Sequence, residues 1–218
     1  MTKKEEIVNG IQSLSGKYSP ETVFSNWVEC VALVTQNSCY FIHNELWEQR
    51  EKQYKNIMNR YELEERIQLR EWFNKLLEVY EEEMSDVLGE IYMELKSSNK
   101  SLGQFFTPFH ISELVAKMET TLKEQEQIKI CEPSVGSGGM IIAVAKALKE
   151  KGINYQKYMK VTAQDLDWRS VYMSYVQFSF LGISAEIVQG DTLIEPYVGG
   201  KYPENRIFRT PRSMGVIL

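Results

Sequence analysis

The sequence has no long apolar segment and few cysteines. No run approaches the ~18 apolar residues that a membrane-spanning helix needs, and the start, MTKKEEIVNG, lacks the apolar core of a secretion signal. The three cysteines, Cys30, Cys39 and Cys131, are an odd number without Cys-x-x-Cys spacing, and the two histidines are isolated. We therefore expect a cytoplasmic protein that has no membrane contact, no disulfide framework and no metal site.

Proline and strand patterns are scarce in the first 97 residues. Pro20 is the only proline there, and apolar residues recur at helical spacing from Val23 to Val34. Ser19 followed by Pro20 is typical of a helix start. The same signals predict further helices over residues 40–60, 63–82 and 85–96. We expect residues 1–97 to form a helical bundle and residues 98–218 to form a second domain.

The second half contains a strand, a glycine-rich turn and a helix in succession. Ile128 to Cys131 are mostly apolar, and a helical pattern begins at Met140. Between them, Gly136 and Gly138 leave the turn without side chains. A ligand can therefore lie against the backbone and against the positive end of the following helix.

The residues around this turn narrow the choice of ligand. A P-loop needs Lys-Ser or Lys-Thr after its last glycine, and Met140 and Ile141 stand there instead. A dinucleotide fingerprint keeps its first half, but Ile141 occupies its third glycine position. Glu132 and Pro133 precede the turn, and a carboxylate there repels a pyrophosphate and favours a cationic ligand. S-adenosylmethionine, which carries an ammonium and a sulfonium and no phosphate, fits these requirements.

Several segments resemble one family. EPSVGSGGM, Glu132 to Met140, is similar to the first motif of the adenine-N6 DNA methylases, specifically the modification subunits of type I restriction systems, which read Asp-Pro-Ala-Cys-Gly-Ser-Gly-Gly-Phe. DVLGEIYME, Asp86 to Glu94, resembles the helix that precedes the catalytic domain in those subunits. GQFFTP, Gly103 to Pro108, resembles their Gly-Gln/Glu-Phe-Tyr/Phe-Thr-Pro hexamer, which contacts the methionine part of the cofactor. The resemblance implies that Phe105, Thr107 and Pro108 lie at that part of the cofactor.

The hexamer also predicts a helix on physical grounds alone. Thr107 can cap a helix whose first turn contains Pro108. The apolar face of that helix is expected to be Ile111, Leu114, Val115 and Met118.

Two later strands are predicted to end in acidic residues. Lys160 to Gln164 runs into Asp165, where this class of fold binds ribose hydroxyls, and a helix follows up to Gly182 with Asp167 as its cap. Leu166 or Trp168 could cover the adenine ring. A third strand, residues 185–188, precedes GDTL, residues 190–193. This segment resembles the third motif of the family, in which Asp191 would accept a hydrogen bond from the adenine amino group; turn formation is the alternative role.

The family's acceptor motif, Asn/Asp-Pro-Pro-Tyr/Phe, is absent from this sequence. In the family it activates the N6 amine of a flipped-out adenine, a poor nucleophile until acceptors bind its hydrogens. Glu195, Pro196 and Tyr197 are the nearest sequence, but they follow Asp191 too closely to leave room for another helix and strand. The catalytic residues are therefore unassigned.

We expect an α/β fold, in which an N-terminal helical bundle precedes a truncated doubly wound, Rossmann-like S-adenosylmethionine-dependent methyltransferase domain. The strand order should be 3-2-1, with any fourth strand beside the first. Residues 198–218 are basic and are predicted to be a solvated tail, in which residues 214–218 could add one strand. An exposed strand edge should be covered by the helical half, the tail or a second copy of the chain.

Two functions remain open at this point. In the first, the protein is a DNA adenine-N6 methyltransferase of restriction-modification type that needs a partner, either a specificity subunit or a second methylase subunit. In the second, it is a catalytically inactive cofactor-binding, assembly or regulatory module. The net charge of −5 argues against strong DNA binding by the chain alone.

Overall fold

Five helices lie in the described part of residues 1–97. The computed structural model describes residues 1–14, 16–97, 105–119, 127–197 and 202–216. The first helices are α1 (Lys3–Ser13), α2 (Pro20–Ser38), α3 (Glu45–Met58), α4 (Leu63–Glu82) and α5 (Val87–Ser97). The predicted helices are confirmed, and α1 was not predicted. Ser19 caps α2 as expected, because its side chain accepts a hydrogen bond from the Thr22 amide at 3.2 Å.

Four helices and four strands follow. They are α6 (Phe109–Glu119), β1 (Ile128–Glu132), α7 (Gly139–Glu150), α8 (Tyr155–Tyr158), β2 (Met159–Asp165), α9 (Trp168–Phe180), β3 (Ser184–Gln189) and β4 (Ile207–Arg209). The sheet order is β1-β2-β3-β4, and β1, β2 and β3 are parallel. The predicted order 3-2-1 is confirmed. Parallel strands joined by helices make this an α/β fold of the Rossmann type, as predicted.

The fourth strand differs from the prediction in place and direction. β4 lies antiparallel beside β3, not beside β1. Ile207 and Phe208 are buried, and Arg209 forms ion pairs with Glu186 at 2.9 Å and with Glu204 at 2.5 Å. Burial of these two apolar side chains holds the segment on the sheet, so the prediction of a solvated tail is wrong.

The predicted strand at residues 214–218 is also wrong for its described part. Met214 ends a 3₁₀ turn, Pro211–Met214, and residues 217 and 218 lie outside the described residues. Because β4 pairs with β3, the tail covers that edge of the sheet. β1 stands at the other edge, beside which a further strand was expected, and the cover expected for that edge stays a prediction.

The helical half packs directly on the sheet half. One continuous cluster of buried apolar side chains extends from α1 to β4, and α2 lies against α9. Polar contacts cross the same boundary: the Tyr80 hydroxyl donates to Gln177 Oε1 at 3.0 Å, and the Arg209 amide donates to Gln36 Oε1 at 2.9 Å. The division of the chain at residues 97 and 98 stays a prediction.

Helix α6 presents a different face to the protein than predicted. It begins at Phe109, and the Pro108 carbonyl accepts the first helical bond from the Ser112 amide. Ser112 and Ala116 are buried, and α6 packs on α7. The predicted apolar face is exposed instead, at Ile111, Leu114, Val115 and Met118. Small residues allow the close approach of two helices, which the apolar pattern alone did not indicate.

A pair of substitutions on α6 tests this orientation. Leu114→Gln should change the free energy of unfolding by less than about 0.5 kcal/mol, because Leu114 is 58% exposed and glutamine is a good helix former. Ala116→Gln should lower it by about 2 kcal/mol, because Ala116 is buried. Urea denaturation measures both values. A larger loss for Leu114→Gln than for Ala116→Gln would contradict the orientation.

Candidate functional site

The turn between β1 and α7 has the conformation that its glycines allow. Gly136 has φ 55° and Gly138 has φ 101°, a left-handed region that other residues rarely adopt. The turn is tied to the sheet, since the Val135 amide donates to the Gln164 carbonyl at 3.0 Å. It leads into α7, whose first-turn amides carry the positive end of the helix dipole. The expected strand, turn and helix are all present.

Asp165 lies at the carboxyl end of β2, beside the glycine turn. Its Oδ2 accepts a hydrogen bond from the Gly136 amide at 2.9 Å, and its Oδ1 accepts one from the Asp167 amide at 2.9 Å. Burial raises the pKa of this carboxyl, although these amides act in the opposite direction. Asp167 also caps α9, because its side chain accepts from the Arg169 amide. The structure thus holds Asp165 in one orientation against the turn.

The GDTL segment meets the same edge of the sheet. The Gly190 amide donates to the Asp165 carbonyl at 2.9 Å, and the Thr192 hydroxyl donates to the Pro133 carbonyl at 2.6 Å. Asp191 Oδ1 accepts hydrogen bonds from the Leu193 amide at 2.9 Å and the Ile194 amide at 3.3 Å. Asp191 therefore forms the turn that the alternative role predicts, and its contact with adenine stays a prediction.

The segments assigned to the methionine end lie partly at this turn. Glu132 Oε1 accepts from the Ser134 amide at 3.0 Å, which directs its carboxylate along the turn. Thr107, Pro108, Pro133 and Leu166 are exposed. Gly103 and Gln104 of the hexamer lie outside the described residues.

Of the two phenylalanines in the hexamer, Phe106 is the one that contacts the glycine turn, and the contact of Phe105 with the cofactor stays a prediction. Phe105 is 69% exposed, whereas Phe106 packs on the Tyr92 ring, with a centroid distance of 5.5 Å. A Cβ atom added at Gly136 would lie 3.0 Å from Phe106 Cδ1. Phe106 therefore lies against the turn, between Gly136 and the Tyr92 ring. Phe105 and Phe106 are adjacent in the hexamer, so the sequence alone does not indicate which of the two rings faces the turn.

A buried carboxylate, Asp86, connects the helical half to the glycine turn. Asp86 is 3% exposed. Its Oδ2 accepts from the Ser137 hydroxyl at 2.5 Å, and its Oδ1 accepts from the Gly89 amide at 3.1 Å and from Gln177 Nε2 at 2.7 Å. Ser137 lies between the two left-handed glycines, so Asp86 fixes the turn at its centre.

Gln177 of α9 completes this network. Its Nε2 also donates to the Ser137 carbonyl at 2.7 Å, and its Oε1 accepts from the Tyr80 hydroxyl and from the Leu88 amide. The Gln177 amide group is therefore fully hydrogen-bonded, as a buried polar group requires. Four segments of the chain, the ends of α4 and α5, the turn and α9, meet at these two side chains.

Two glycines make room for the Asp86 carboxylate. A Cβ atom at Gly89 would lie 2.3 Å from Asp86 Oδ2, and one at Gly139 would lie 2.8 Å from the same atom. Burial raises the pKa of the Asp86 carboxyl, against the hydrogen bonds from Ser137 and Gln177. Asp86 was not among the residues predicted from the sequence to belong to the site. Its place at the start of the DVLGEIYME resemblance was the available signal.

The tripeptide nearest to an acceptor motif is bound to the sheet. The Tyr197 hydroxyl donates to Glu186 Oε2 at 2.9 Å, and its amide donates to Gln164 Oε1 at 2.9 Å. Gln164 Nε2 donates in turn to the Glu195 carbonyl at 2.9 Å. Burial is the main cause that raises the pKa of Tyr197 to about 12. These contacts hold Glu195 to Tyr197 on β2 and β3. No catalytic residue is assigned from them.

Within the described ranges, no three His, Cys, Asp or Glu side chains are grouped so that they could hold a metal ion. In the same part of the chain, no helix combines the length and the apolar character that crossing a membrane requires.

Comparisons with known proteins give consistent matches. The type I restriction enzyme MpnII methylase subunit of Mycoplasma pneumoniae is 25% identical over 122 residues, which cover 54% of this chain and 22% of that protein. The chain thus spans less than a quarter of that relative. The methyltransferase subunit of a type I restriction-modification system from Streptococcus thermophilus has 15% identity and a TM-score of 0.48, covering 87% of this chain and 43% of the other.

A second solved structure, assigned to the class I S-adenosylmethionine-dependent methyltransferases of Listeria monocytogenes, has 14% identity and a TM-score of 0.49. It covers 93% of this chain and 61% of the other. The family model of the N-6 DNA methylases matches residues 83–211, which include Asp86, the glycine turn, Asp165 and Asp191. Since this match covers more than half of the sequence, the chain belongs to the N-6 DNA methylase family.

Proposed function

We propose that the chain binds S-adenosylmethionine at the glycine turn and takes part in methyl transfer to adenine N6 in DNA. The observation that carries the proposal is the Asp165 carboxylate, which is held against the Gly136 amide at the end of β2. A carboxylate has about four acceptor positions, so Asp165 keeps acceptor capacity beyond its backbone hydrogen bonds. That is the arrangement with which this class of fold binds ribose hydroxyls.

Each remaining site residue has a role in this proposal. Gly136 and Gly138 allow the cofactor to approach the backbone, and the Glu132 carboxylate attracts its cationic end. Asp191 receives the adenine amino group, and exposed Leu166 covers the adenine ring. The methionine end is bounded by Phe105, Thr107, Pro108 and Pro133. When bound, the cofactor supplies a methyl group on a sulfonium.

The base that accepts the methyl group needs residues that this chain lacks. An adenine N6 amine becomes nucleophilic only when acceptors bind its hydrogens, and the sequence contains no Asn/Asp-Pro-Pro-Tyr/Phe. We therefore assign that motif and the recognition of the DNA sequence to a partner in the cytoplasm, a specificity subunit or a second methylase subunit. A second copy of this chain, in a homo-oligomer, is a further candidate partner. The net charge of −5 supports DNA binding through the partner.

One observation favours a second candidate, a cofactor-binding assembly module without transferase activity. Tyr197, in the tripeptide nearest to an acceptor motif, has both its hydroxyl and its amide bound to the sheet. Tyr197 is therefore held by the sheet, which argues against its serving as the aromatic residue of an acceptor motif.

Cofactor binding is tested by thermal unfolding and by calorimetric titration of the whole chain. At ~100 times its dissociation constant, S-adenosylmethionine should raise Tm by roughly 5 to 10 °C. Asp165→Ala should reduce the affinity by about 10-fold or more, because hydrogen bonds to a charged group are lost. Glu195→Gln is the matched control, since this exposed acid should leave affinity unchanged. A flat titration of the wild-type chain would contradict the proposal.

Methyl transfer separates the two candidates. The chain is incubated with methyl-labelled cofactor and adenine-containing DNA, alone and with a methylase or specificity subunit from the same cell. Label in DNA N6-methyladenine only in the presence of the partner supports the split enzyme. Cofactor binding without label in either mixture supports the assembly module.

A further inference from the structure

A cavity lies between the two halves of the protein, and none of its lining residues belongs to the glycine turn. Its volume is about 360 Å³, within the range of small-molecule sites. Side chains from α2 and α3 form one wall, and α9 and β4 form the other. The lining includes Glu29, Arg50, Gln53, Trp168, Tyr172 and Phe208.

Arg50 is the unusual residue of this cavity. Its side chain is buried, with 5% of the residue exposed, and its Nη1 has no hydrogen-bond partner among the described residues. The guanidinium lies 5.5 Å from the centroid of the Phe208 ring and 5.4 Å from that of Tyr40. These ring contacts offset part of the cost of burying the charge, but they satisfy none of its N–H donors.

The nearby acids are committed to other partners. Glu186 and Glu204 pair with Arg209, and Glu29 Oε1 accepts a hydrogen bond from Gln53 Nε2 at 2.6 Å. A buried arginine without a counter-ion is costly, and buried charges in proteins are normally paired. The cavity therefore holds a positive charge that no described carboxylate neutralises by an ion pair.

We propose that this cavity binds a small oxyanion, a carboxylate or a phosphate, carried on a planar ring. Arginine presents its N–H donors in a fork that matches both anions. Trp168 and Tyr172 are stacked, with centroids 5.4 Å apart, and give an aromatic wall for the ring. The lining shares no residue with the cofactor site of the proposed function, in which Leu166 rather than Trp168 covers the adenine ring.

Glu29 is the one cavity-lining group that would oppose an anion. Burial raises the pKa of its carboxyl, so the residue takes up a proton more readily than an exposed glutamate. A protonated Glu29 can donate a hydrogen bond to the ligand. Because the cavity joins α2 and α3 to α9 and β4, an occupant would also hold the two halves together.

The test uses four simple probes and the whole chain. Phenyl phosphate and benzoate contain a ring and one of the two anions, whereas phenol lacks the anion and inorganic phosphate lacks the ring. Calorimetric titration should show saturable binding of phenyl phosphate or benzoate. The compound that binds with the higher affinity shows whether the site prefers a phosphate or a carboxylate. Phenol should bind at least about tenfold more weakly. Saturating S-adenosylhomocysteine should leave this binding unchanged.

Three variants locate the binding. Arg50→Met should weaken it at least about tenfold, and Arg206→Met, at an exposed arginine near the cavity, should leave it unchanged. Asn205→Trp should abolish it by filling the cavity from an exposed position, and it serves as the test if Arg50→Met does not fold. The proposal is overturned if neither ring-bearing anion binds at about 10 mM. Displacement by S-adenosylhomocysteine, or undiminished binding in the folded cavity variants, overturns it as well.

Discussion

Replacement of Asp86 with alanine is expected to lower the free energy of unfolding by about 3 kcal/mol. The carboxylate accepts three hydrogen bonds, from Ser137, Gly89 and Gln177. Each donor is buried, and a buried donor without an acceptor costs ~1 to 3 kcal/mol. The loss is smaller than the sum of three such terms, because alanine also removes the cost of burying the charge, which is what raises the pKa of Asp86.

Urea denaturation of three proteins tests this expectation. Asp86→Asn is the matched control, because asparagine keeps the size of the side chain and one acceptor oxygen for Gly89 and Gln177. Its cost should be less than half that of Asp86→Ala. Equal losses in the two variants would mean that the charge, rather than the network of acceptors, stabilises the fold.

The difference in free energy of unfolding between the wild type and Asp86→Asn should depend on pH with a definite sign. The folded pKa of Asp86 lies above the unfolded value of about 3.8, so the folded state binds the extra proton between these two pKa values. Wild-type stability relative to Asp86→Asn should therefore fall as pH rises through that window. Denaturation curves at several pH values from about 3 to 7 measure the difference. A difference that moves the other way would contradict the raised pKa.

Much of the sheet half followed from local sequence. Apolar runs predicted β1, β2 and β3, and the glycines between β1 and α7 predicted the turn, because only glycine adopts its left-handed conformation without strain. Asp165 could be placed because the carboxyl ends of parallel strands meet at one edge of the sheet. These features depend on residues close together in the chain.

The features that were missed depend on residues far apart. Asp86 and Gln177 are 91 positions apart, and no local pattern indicates that this carboxylate will meet a glutamine of α9. The position of β4 depends on Phe208, which packs on the Tyr175 ring at a centroid distance of 5.0 Å. The arginines of residues 198–218 favoured the prediction of a solvated tail. Only two apolar residues of β4, Ile207 and Phe208, are buried, and they gave no strand pattern.

Replacement of Gly138 with alanine is expected to lower the free energy of unfolding by about 3 kcal/mol. At φ 101° an alanine would carry about 1 to 2 kcal/mol of backbone strain. The new methyl group would also lie 2.6 Å from Phe178 Cε1, far inside contact distance. Phe178 is fully buried, so it cannot move without disturbing the core, and the overlap adds about 1 to 3 kcal/mol.

Gly152→Ala separates the two contributions. Gly152 also has a positive φ, 76°, but a Cβ atom there would meet no atom within 4 Å. Its substitution should cost only the strain, about 1 kcal/mol. Urea denaturation gives both values, and their difference measures the overlap with Phe178. Phe178→Leu should recover part of the loss in the Gly138→Ala background, because the smaller side chain vacates the position of the ring edge. Equal costs for Gly138→Ala and Gly152→Ala would show that the turn can move away from α9. The proposed cofactor site would then be less rigid than the contacts of the turn with Asp86 and Phe178 indicate.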